Sequence, residues 1–437
     1  MPGTTALLTD QYELTMLQAA LAHGTAHRRC VFEVFARRLP DGRRYGVVAG
    51  TGRLLDALER FRFADGELAD LQERAVVDDA TLGWLADYRF SGDVWGYGEG
   101  ECFFPHSPLL IVEGSFAEAV ILETLVLSVL NFDSAIASAA SRMTVAAAGR
   151  PCIEMGSRRT HEWAAVAAAR AAYVTGFAST SNLEAGRSYG IPTRGTSAHA
   201  FTLLHDSERD AFTAQVTSLG KGTTLLVDTY DVAEAVAHGI DIAGPELGAV
   251  RLDSGDLLTQ AWEVRAQLDA LGAADTKIVV TSDLDEYAIA ALAAAPVDAY
   301  GVGTQLVTGS GAPTAGMVYK LVARARDDGA LVPVEKASKD KRSLGGRKYA
   351  LRRRSAAGVA EAEVIGVGVA PPDDGDDRPL LVPLVREGEI IGREPLETAR
   401  KRHEASLDEL PPTARKLSRG EPAIPTVYDR PSDREGK

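Results

Sequence analysis

The segments of this chain that can do chemistry suit work on a phosphorylated sugar. Asp253 and Asp256, in the tight turn DSGD, present two carboxylates able to accept ribose hydroxyls or to hold Mg²⁺ through water. Arg251 stands two residues before Asp253, which puts both on one face of an extended strand, an arrangement that also describes a plain ion pair. His199, in RGTSAHAF, follows a Gly and neighbours Thr196 and Ser197; an imidazole there serves as acid, base or nucleophile, or as an ordinary structural side chain. Of the ten lysines, five fall between Lys320 and Lys348, most densely in KASKDKRSLGGRK. That stretch is a positive loop with a Gly-Gly hinge, suited to closing over phosphates and equally readable as a solvated turn. The GVG at 301–303 lacks the third glycine of a dinucleotide fingerprint but can aim backbone N–H groups at a phosphate. Neither HxH nor HExxH spacing occurs, and His161-Glu162 alone is no zinc signature.

These residues need a scaffold that brings them together. Between about residues 111 and 320 one unit recurs: a short β-branched or Gly-rich run ending in polar residues, then an Ala-rich stretch with helical spacing. Seven such runs occur: PCIEMGSRR (151–159), TGFASTSN (175–182), IPTRGTSAH (191–199), TTLLVDTYD (223–231), GAVRLDSGD (248–256), KIVVTSDLD (277–285) and DAYGVGTQL (298–306). HEWAAVAAARAAYV (161–174) and LLTQAWEVRAQLDAL (257–271) read as intervening helices, the second opening after the candidate caps Ser254 and Asp256. Alternating β and α units imply a parallel sheet, open or closed. In either form the ligand lies beyond the carboxyl ends of the strands. The polar clusters fall at that end of every run: Arg158 and Arg159, Ser181 and Asn182, Thr196 to His199, Asp228 and Asp231, Asp253 to Asp256, Ser282 and Asp283, Gly303 and Thr304.

The flanking parts lack this rhythm. CVFEVFARRL and DVWGYGEGECFF read as strands before it, and segments near 318–323, 347–354 and 361–368 as strands after it. The expected organisation is α/β: a barrel domain over 116–319, inserted into a discontinuous α+β domain made of 1–115 and 320–437. The Pro-rich, charged tail is expected to be disordered over its last ten or so residues.

Composition narrows the function classes. With 47 Lys+Arg against 61 Asp+Glu the net charge is −14, which excludes the basic footprint that nucleic acid requires. The 45% hydrophobic and 25% charged content is that of an ordinary globular protein. Cys30, Cys102 and Cys152 are scattered, so neither a disulfide framework nor a cysteine zinc site is expected. No signal peptide is read at the N-terminus, and AVILETLVLSVLNF is interrupted by Glu123 and Ser128 short of the roughly 18 residues a membrane helix needs. A cytoplasmic protein with no membrane partner is expected.

Taken together, LLTDQYELTM, FEVFARRLP, EMGSRRTHEWAAVAAARAAYVTGFASTSN, GTSAHAF, VDTYD, VRLDSGDL, TSDLDE, YGVGTQLVT and VYKLV resemble, in order and spacing, the nicotinate phosphoribosyltransferases, type II phosphoribosyltransferases of NAD salvage. The resemblance spans about three quarters of the chain and weakens after Lys348. It implies an irregular seven-stranded α/β barrel with a discontinuous sandwich domain, and a homodimer with sites at the subunit interface. It implies transfer of phosphoribose from phosphoribosyl pyrophosphate to nicotinate, coupled to ATP hydrolysis and using Mg²⁺. Tyr12 resembles the tyrosine that stacks on the pyridine ring from the dimer partner, and Met155 stands where many relatives carry the Phe of the opposite face. Thr196 and Arg251 match nicotinate contacts, and His199 matches the histidine that ATP phosphorylates. Asp228, Asp253 and Asp256 match the ribose and Mg²⁺ lining, and Arg158 and Arg159 the pyrophosphate contacts. Ser282, Asp283, Gly303 and Thr304 match the 5′-phosphate site, and Lys336, Lys341 and Lys348 a lysine loop over the phosphates. The three cysteines do not supply the zinc cluster some relatives carry. Sister enzymes acting on nicotinamide or quinolinate, and a catalytically silent sugar-phosphate binder, are the alternatives.

Overall fold

A computed structural model of the chain describes residues 3–336 and 344–430. It divides into two compact units, one made of Met1–Ala135 with Thr314–Lys437 and the other of Ile136–Pro313.

The inner unit is built on a six-stranded, all-parallel sheet in the order Ser179–Thr180, Cys152–Glu154, Ala299–Val302, Lys277–Val280, Ala249–Leu252, Thr224–Leu226. Strands adjacent in sequence are adjacent in space except Ser179–Thr180 and Thr224–Leu226, which form the two edges of the sheet, and the first, Cys152–Glu154, pairs with the last, Ala299–Val302. This circular order, open between those two edges, is that of a curled, incomplete barrel. Along the strands Val250 and Leu252, Ile278 and Val280, and Tyr300 and Val302 are fully buried pairs two residues apart, while Arg251 and Val279 between them are half-buried and Lys277 is exposed.

Six of the seven expected runs form these strands. The run at 191–199 does not join as a strand and contributes only an isolated parallel bridge between Thr180 and Thr193. Pro192 has no N–H to donate, and Gly195 weakens an extended segment, so the chain pairs through one residue and then leaves the sheet. The helices follow the expected order. Glu162–Val174 and Leu257–Ala270 lie within a residue of the periodic stretches.

The other unit joins distant parts of the chain. Its seven-stranded sheet runs Leu331–Pro333, Met317–Ala325, Arg29–Ala36, Leu110–Ser115, Asp93–Tyr97, Leu381–Arg386, Glu389–Ile390. Arg29–Ala36 is hydrogen-bonded to Met317–Ala325, so residues nearly 300 apart in sequence share a ladder. A second sheet orders Arg378–Pro379, Lys348–Arg354, Ala360–Val367 and Thr426–Asp429. The strand Thr426–Asp429 shows that the tail is structured further than expected; residues 431–437 lie outside the described residues.

The boundary between units falls at 135/136, inside the long helix Glu123–Ala147, and not at 115/116. Leu125, Val126, Val129 and Leu130 belong to the apolar core of the terminal unit, and Asn131 Oδ1 accepts from Met317 N–H at 2.8 Å. The helical run Phe116–Ala147 is long and apolar enough to cross a membrane by length and composition, contrary to the sequence expectation, but 67% of its most apolar window is buried inside the fold. It serves here as a core helix.

Candidate active site

The polar clusters at the carboxyl ends of the parallel strands separate into two groups. In the first, a side chain caps the following helix. Asn182 accepts from Ala185 N–H, Asp231 from Glu234 N–H, Asp256 from Thr259 N–H and Asp285 from Tyr287 and Ala288 N–H. Short strand-to-helix turns place an Asx exactly one residue before the helix, where it satisfies otherwise orphaned amides. Asp256 is committed further, because its second oxygen accepts from Thr259 Oγ1 at 2.7 Å.

The second group faces inward. His199 opens the helix His199–Leu204. Its Nδ1 lies 3.3 Å from Thr229 Oγ1, and its Nε2 stands 3.9 Å from Asp228 Oδ1 and 3.8 Å from Asp253 Oδ2. Asp228 binds the next turn, its Oδ2 accepting from Asp253 N–H at 2.9 Å and Ser254 Oγ at 2.8 Å. Its Oδ1 is buried without a hydrogen-bond donor, on a side chain only 3% exposed. Asp253 Oδ1 accepts from Thr281 Oγ1 at the next strand end. Three consecutive strand ends are thus linked through two aspartates, with the imidazole above them.

Arg251 completes the group. It reaches Thr196 Oγ1 at 3.4 Å and donates to Ser197 O at 3.1 Å, while its Nε is buried without an acceptor. Burial holds this guanidinium below its ordinary pKa, against the opposing pull of Asp253 and Asp228, and Arg158 adds to the lowering. A charged, partly desolvated guanidinium with an unfilled donor is a ready receptor for a planar carboxylate.

The remaining expected residues fall as follows. Arg158 and Arg159 are exposed in the turn after Cys152–Glu154. Met155 packs on Gly301, where an added Cβ would sit 2.8 Å from Met155 Sδ and 2.5 Å from Thr281 Cγ2, so this glycine is required for close strand packing. Ser282 has φ 127°, a strained conformation for a residue with a side chain, of the kind that persists where surrounding structure dictates it. Asp283 is exposed beside it. Gly303 and Thr304 begin the short helix Thr304–Val307.

Tyr12, Lys336 and Lys348 belong to the terminal unit. Tyr12 lies on the helix Gln11–Ala22, 45% exposed, its hydroxyl pKa pushed up to about 12 by partial burial and then by Glu123 and Glu13. Lys336 is exposed, and Lys341 lies outside the described residues. Lys348 contradicts the expectation of a phosphate contact: it is buried in Lys348–Arg354, its Nζ paired with Glu33 and bonded to Leu344 O at 2.6 Å. The lysine run ends inside a β-strand, and its last member neutralises a buried carboxylate.

Thr229 and Thr281, which hold His199 and Asp253, were not singled out by spacing, and Ser254, expected as a helix cap, instead donates to Asp228; each lies in a strand-end motif. Glu208 was also missed. It is buried at the start of Glu208–Leu219, its Oε1 has no donor, and its pKa is pushed up to about 7 by burial and then by Asp231, Glu234 and Asp228. A carboxyl whose pKa rises on folding binds its proton more tightly in the folded state. Stability is therefore greatest below the ordinary carboxyl pKa and declines as pH rises through about 7. Glu208→Gln is expected to raise the melting temperature at about pH 8 and to leave it unchanged near pH 4; thermal melts at the two pH values check this.

Comparison with known proteins places the chain in a family. Residues 7–131 match the family model of the nicotinate phosphoribosyltransferase (NAPRTase) N-terminal domain. The chain is 59% identical over 429 residues to nicotinate phosphoribosyltransferase pncB1 of Mycobacterium tuberculosis, covering 96% of this chain and 94% of that protein. It is 36% identical to the nicotinate phosphoribosyltransferase of Bacillus subtilis, over 79% of this chain and 73% of the relative. Its fold matches the crystal structure of human nicotinic acid phosphoribosyltransferase with a TM-score of 0.83, at 26% identity over 96% of this chain and 97% of the human one. By sequence along nearly its whole length, and by fold, this chain belongs to the nicotinate phosphoribosyltransferase family.

Proposed function

We propose that the protein joins nicotinate to phosphoribosyl pyrophosphate, giving nicotinate mononucleotide and pyrophosphate, with ATP hydrolysis coupled to the transfer. The observation that carries this reading is the convergence of Arg251, Thr196, Asp228, Asp253 and His199 at neighbouring strand ends. A carboxylate receptor and a nucleophilic imidazole beside two aspartates is a combination that a pyridine carboxylate and a phosphate donor would use.

Arg251 and Thr196 hold the nicotinate carboxylate, and Met155 lies against one face of its ring. The pyridine nitrogen then attacks C1 of the ribose as the bond to pyrophosphate breaks, through a state with oxocarbenium character. Catalysis of this kind rests on positioning and charge stabilisation. Arg158 and Arg159 neutralise the pyrophosphate, and Ser282, Asp283, Gly303 and Thr304 hold the 5′-phosphate. The run at 191–199 completes the seventh position of the irregular barrel.

The oxygen ligands fit a hard cation, since Asp228 Oδ1 is buried and receives no hydrogen bond. Asp228 and Asp253 would hold Mg²⁺; Asp256, engaged as a helix cap, is the weaker of the expected ligands. When bound, Mg²⁺ supplies charge neutralisation for the departing pyrophosphate.

His199 is the group that takes the γ-phosphoryl of ATP. In the tautomer that carries its proton on Nδ1, beside Thr229 Oγ1, Nε2 has a free lone pair that forms the N–P bond as the bond to ADP breaks. Tyr12 and Met16, both exposed and one turn apart on the helix Gln11–Ala22, form an apolar patch suited to a second copy of the chain, from which Tyr12 would reach the pyridine ring. The three cysteines are free thiols, all buried, which accords with a reducing cytoplasm.

Mononucleotide formation from nicotinate, nicotinamide and quinolinate, each with and without ATP, tests the reading. Product from nicotinate alone, increased by ATP, is expected. Activity confined to nicotinamide or quinolinate, or donor binding without product, would overturn it.

A further inference from the structure

One buried carboxyl next to the site has no part in the reaction as read above. Glu154 ends the Cys152–Glu154 strand and is fully buried. Its neighbours are hydrogen-bond donors: Thr180 Oγ1 donates to Oε2 at 2.5 Å, and Gly156 N–H donates to Oε1. Among the described residues no cation accounts for its charge, and burial pushes its pKa up.

Thr180 Oγ1 also accepts from Asn182 N–H at 2.9 Å, so one hydroxyl links Glu154 to the turn at 180–182. Asn182 then returns to the first turn, donating from Nδ2 to Ser157 Oγ at 3.0 Å, while its Oδ1 accepts from Ala185 N–H at 2.8 Å. The circuit runs Gly156, Glu154, Thr180, Asn182, Ser157, and it ties the turn at 155–159 to the turn at 180–182. The first of these turns carries Met155, Arg158 and Arg159. It has no room to shift, because a Cβ on Gly156 would fall 2.2 Å from Val307 Cγ1 and 3.1 Å from Gly303 O. A buried carboxylate without a counter-ion is a costly way to join two loops that an apolar pair would join as well. What it adds is directionality, since both oxygens must accept.

We propose that Glu154 is a positioning residue for phosphoribosyl pyrophosphate: through Gly156 and Thr180 it sets the turn that presents Arg158 and Arg159 to the pyrophosphate. This rests on the transferase reading given above. The consequence is sharp for an isosteric change. In Glu154→Gln the amide NH₂ faces either Gly156 N–H, which cannot accept, or the Thr180 hydroxyl, which accepts on its second lone pair only by turning its own hydrogen away from residue 154. The circuit is broken at Gly156 or reversed at Thr180, with no change of volume.

The test is steady-state kinetics on the full-length protein with wild type, Glu154→Gln, Thr180→Val and the double variant. KM for phosphoribosyl pyrophosphate is expected to rise roughly 10-fold in each single variant, with kcat at saturating donor within about threefold of wild type. The double variant is expected to show no further rise, because both changes break one circuit. Phosphorylation of His199 by ATP, read as acid-labile label, is expected to be unchanged and reports an intact fold. Wild-type KM values in Glu154→Gln, or a fall in melting temperature, kcat and labelling with KM unaltered, would overturn the inference. Should Glu154→Gln not fold, Thr180→Val decides: a wild-type donor KM there overturns it. A wild-type protein that makes no mononucleotide would instead overturn the transferase reading.

Discussion

His199→Ala is expected to abolish the ATP-dependent gain in affinity for phosphoribosyl pyrophosphate while leaving a slow turnover that ATP does not change. The imidazole faces Asp228 and Asp253 from 3.9 and 3.8 Å and is oriented by Thr229. A phosphoryl group formed there would place negative charge against two carboxylates and so change the electrostatics that an anionic donor meets. ATP acts on the donor site only to the extent that the phosphorylated and free enzymes bind the donor differently. Coupling of this kind is worth about 5–150-fold in affinity, roughly 1–3 kcal/mol. Ala removes the nucleophile and leaves Arg251 and the aspartates in place, so uncoupled chemistry continues. Donor KM measured with and without ATP, together with acid-labile phosphate on the protein, checks this. ATP stimulation that survives in the variant would refute the role.

Arg251→Ala is expected to lower kcat/KM for nicotinate by roughly 30-fold to several-thousand-fold, the range that corresponds to the 2–5 kcal/mol of removing one partner from a desolvated charge pair. The guanidinium is already partly stripped of water, with its Nε unfilled, so it has little reorganisation left when a carboxylate arrives. Because an amide gains less from the same guanidinium, the preference for nicotinate over nicotinamide should narrow by a similar factor. Arg251→Lys restores the charge without the planar fork and should fall between. Equal loss on both pyridines would assign Arg251 to the ribose or pyrophosphate and not to the carboxylate.

The difference between Lys348 and Arg251 shows where residue type stops being informative. Both are cations in stretches that suit anionic ligands. Arg251 lies at a strand end beside Thr196, and Lys348 lies inside a strand against buried Glu33. Nothing in KASKDKRSLGGRK marks its last lysine as buried, because the partner is 315 residues away. Asp256 carried two readings, a metal ligand shared with Asp253 and a helix cap, and the structure shows it as the cap, accepting from Thr259 N–H. The run at 191–199 carried the strand pattern, yet Pro192 limits it to one bridge.

The sequence by itself determined the parallel α/β rhythm, the end of each strand at which the polar residues gather, and the family. Period-2 and period-3.6 apolar patterns and strand-to-helix turns are local properties, and they are written in neighbouring residues. Tertiary structure alone decided that the first strand pairs with the last, and that the long helix Glu123–Ala147 crosses the unit boundary. It also decided which of the strand-end carboxylates cap helices and which face His199. These outcomes depend on which distant groups end up within about 4 Å and out of water, and desolvation and hydrogen bonding at that range have no counterpart in residue spacing.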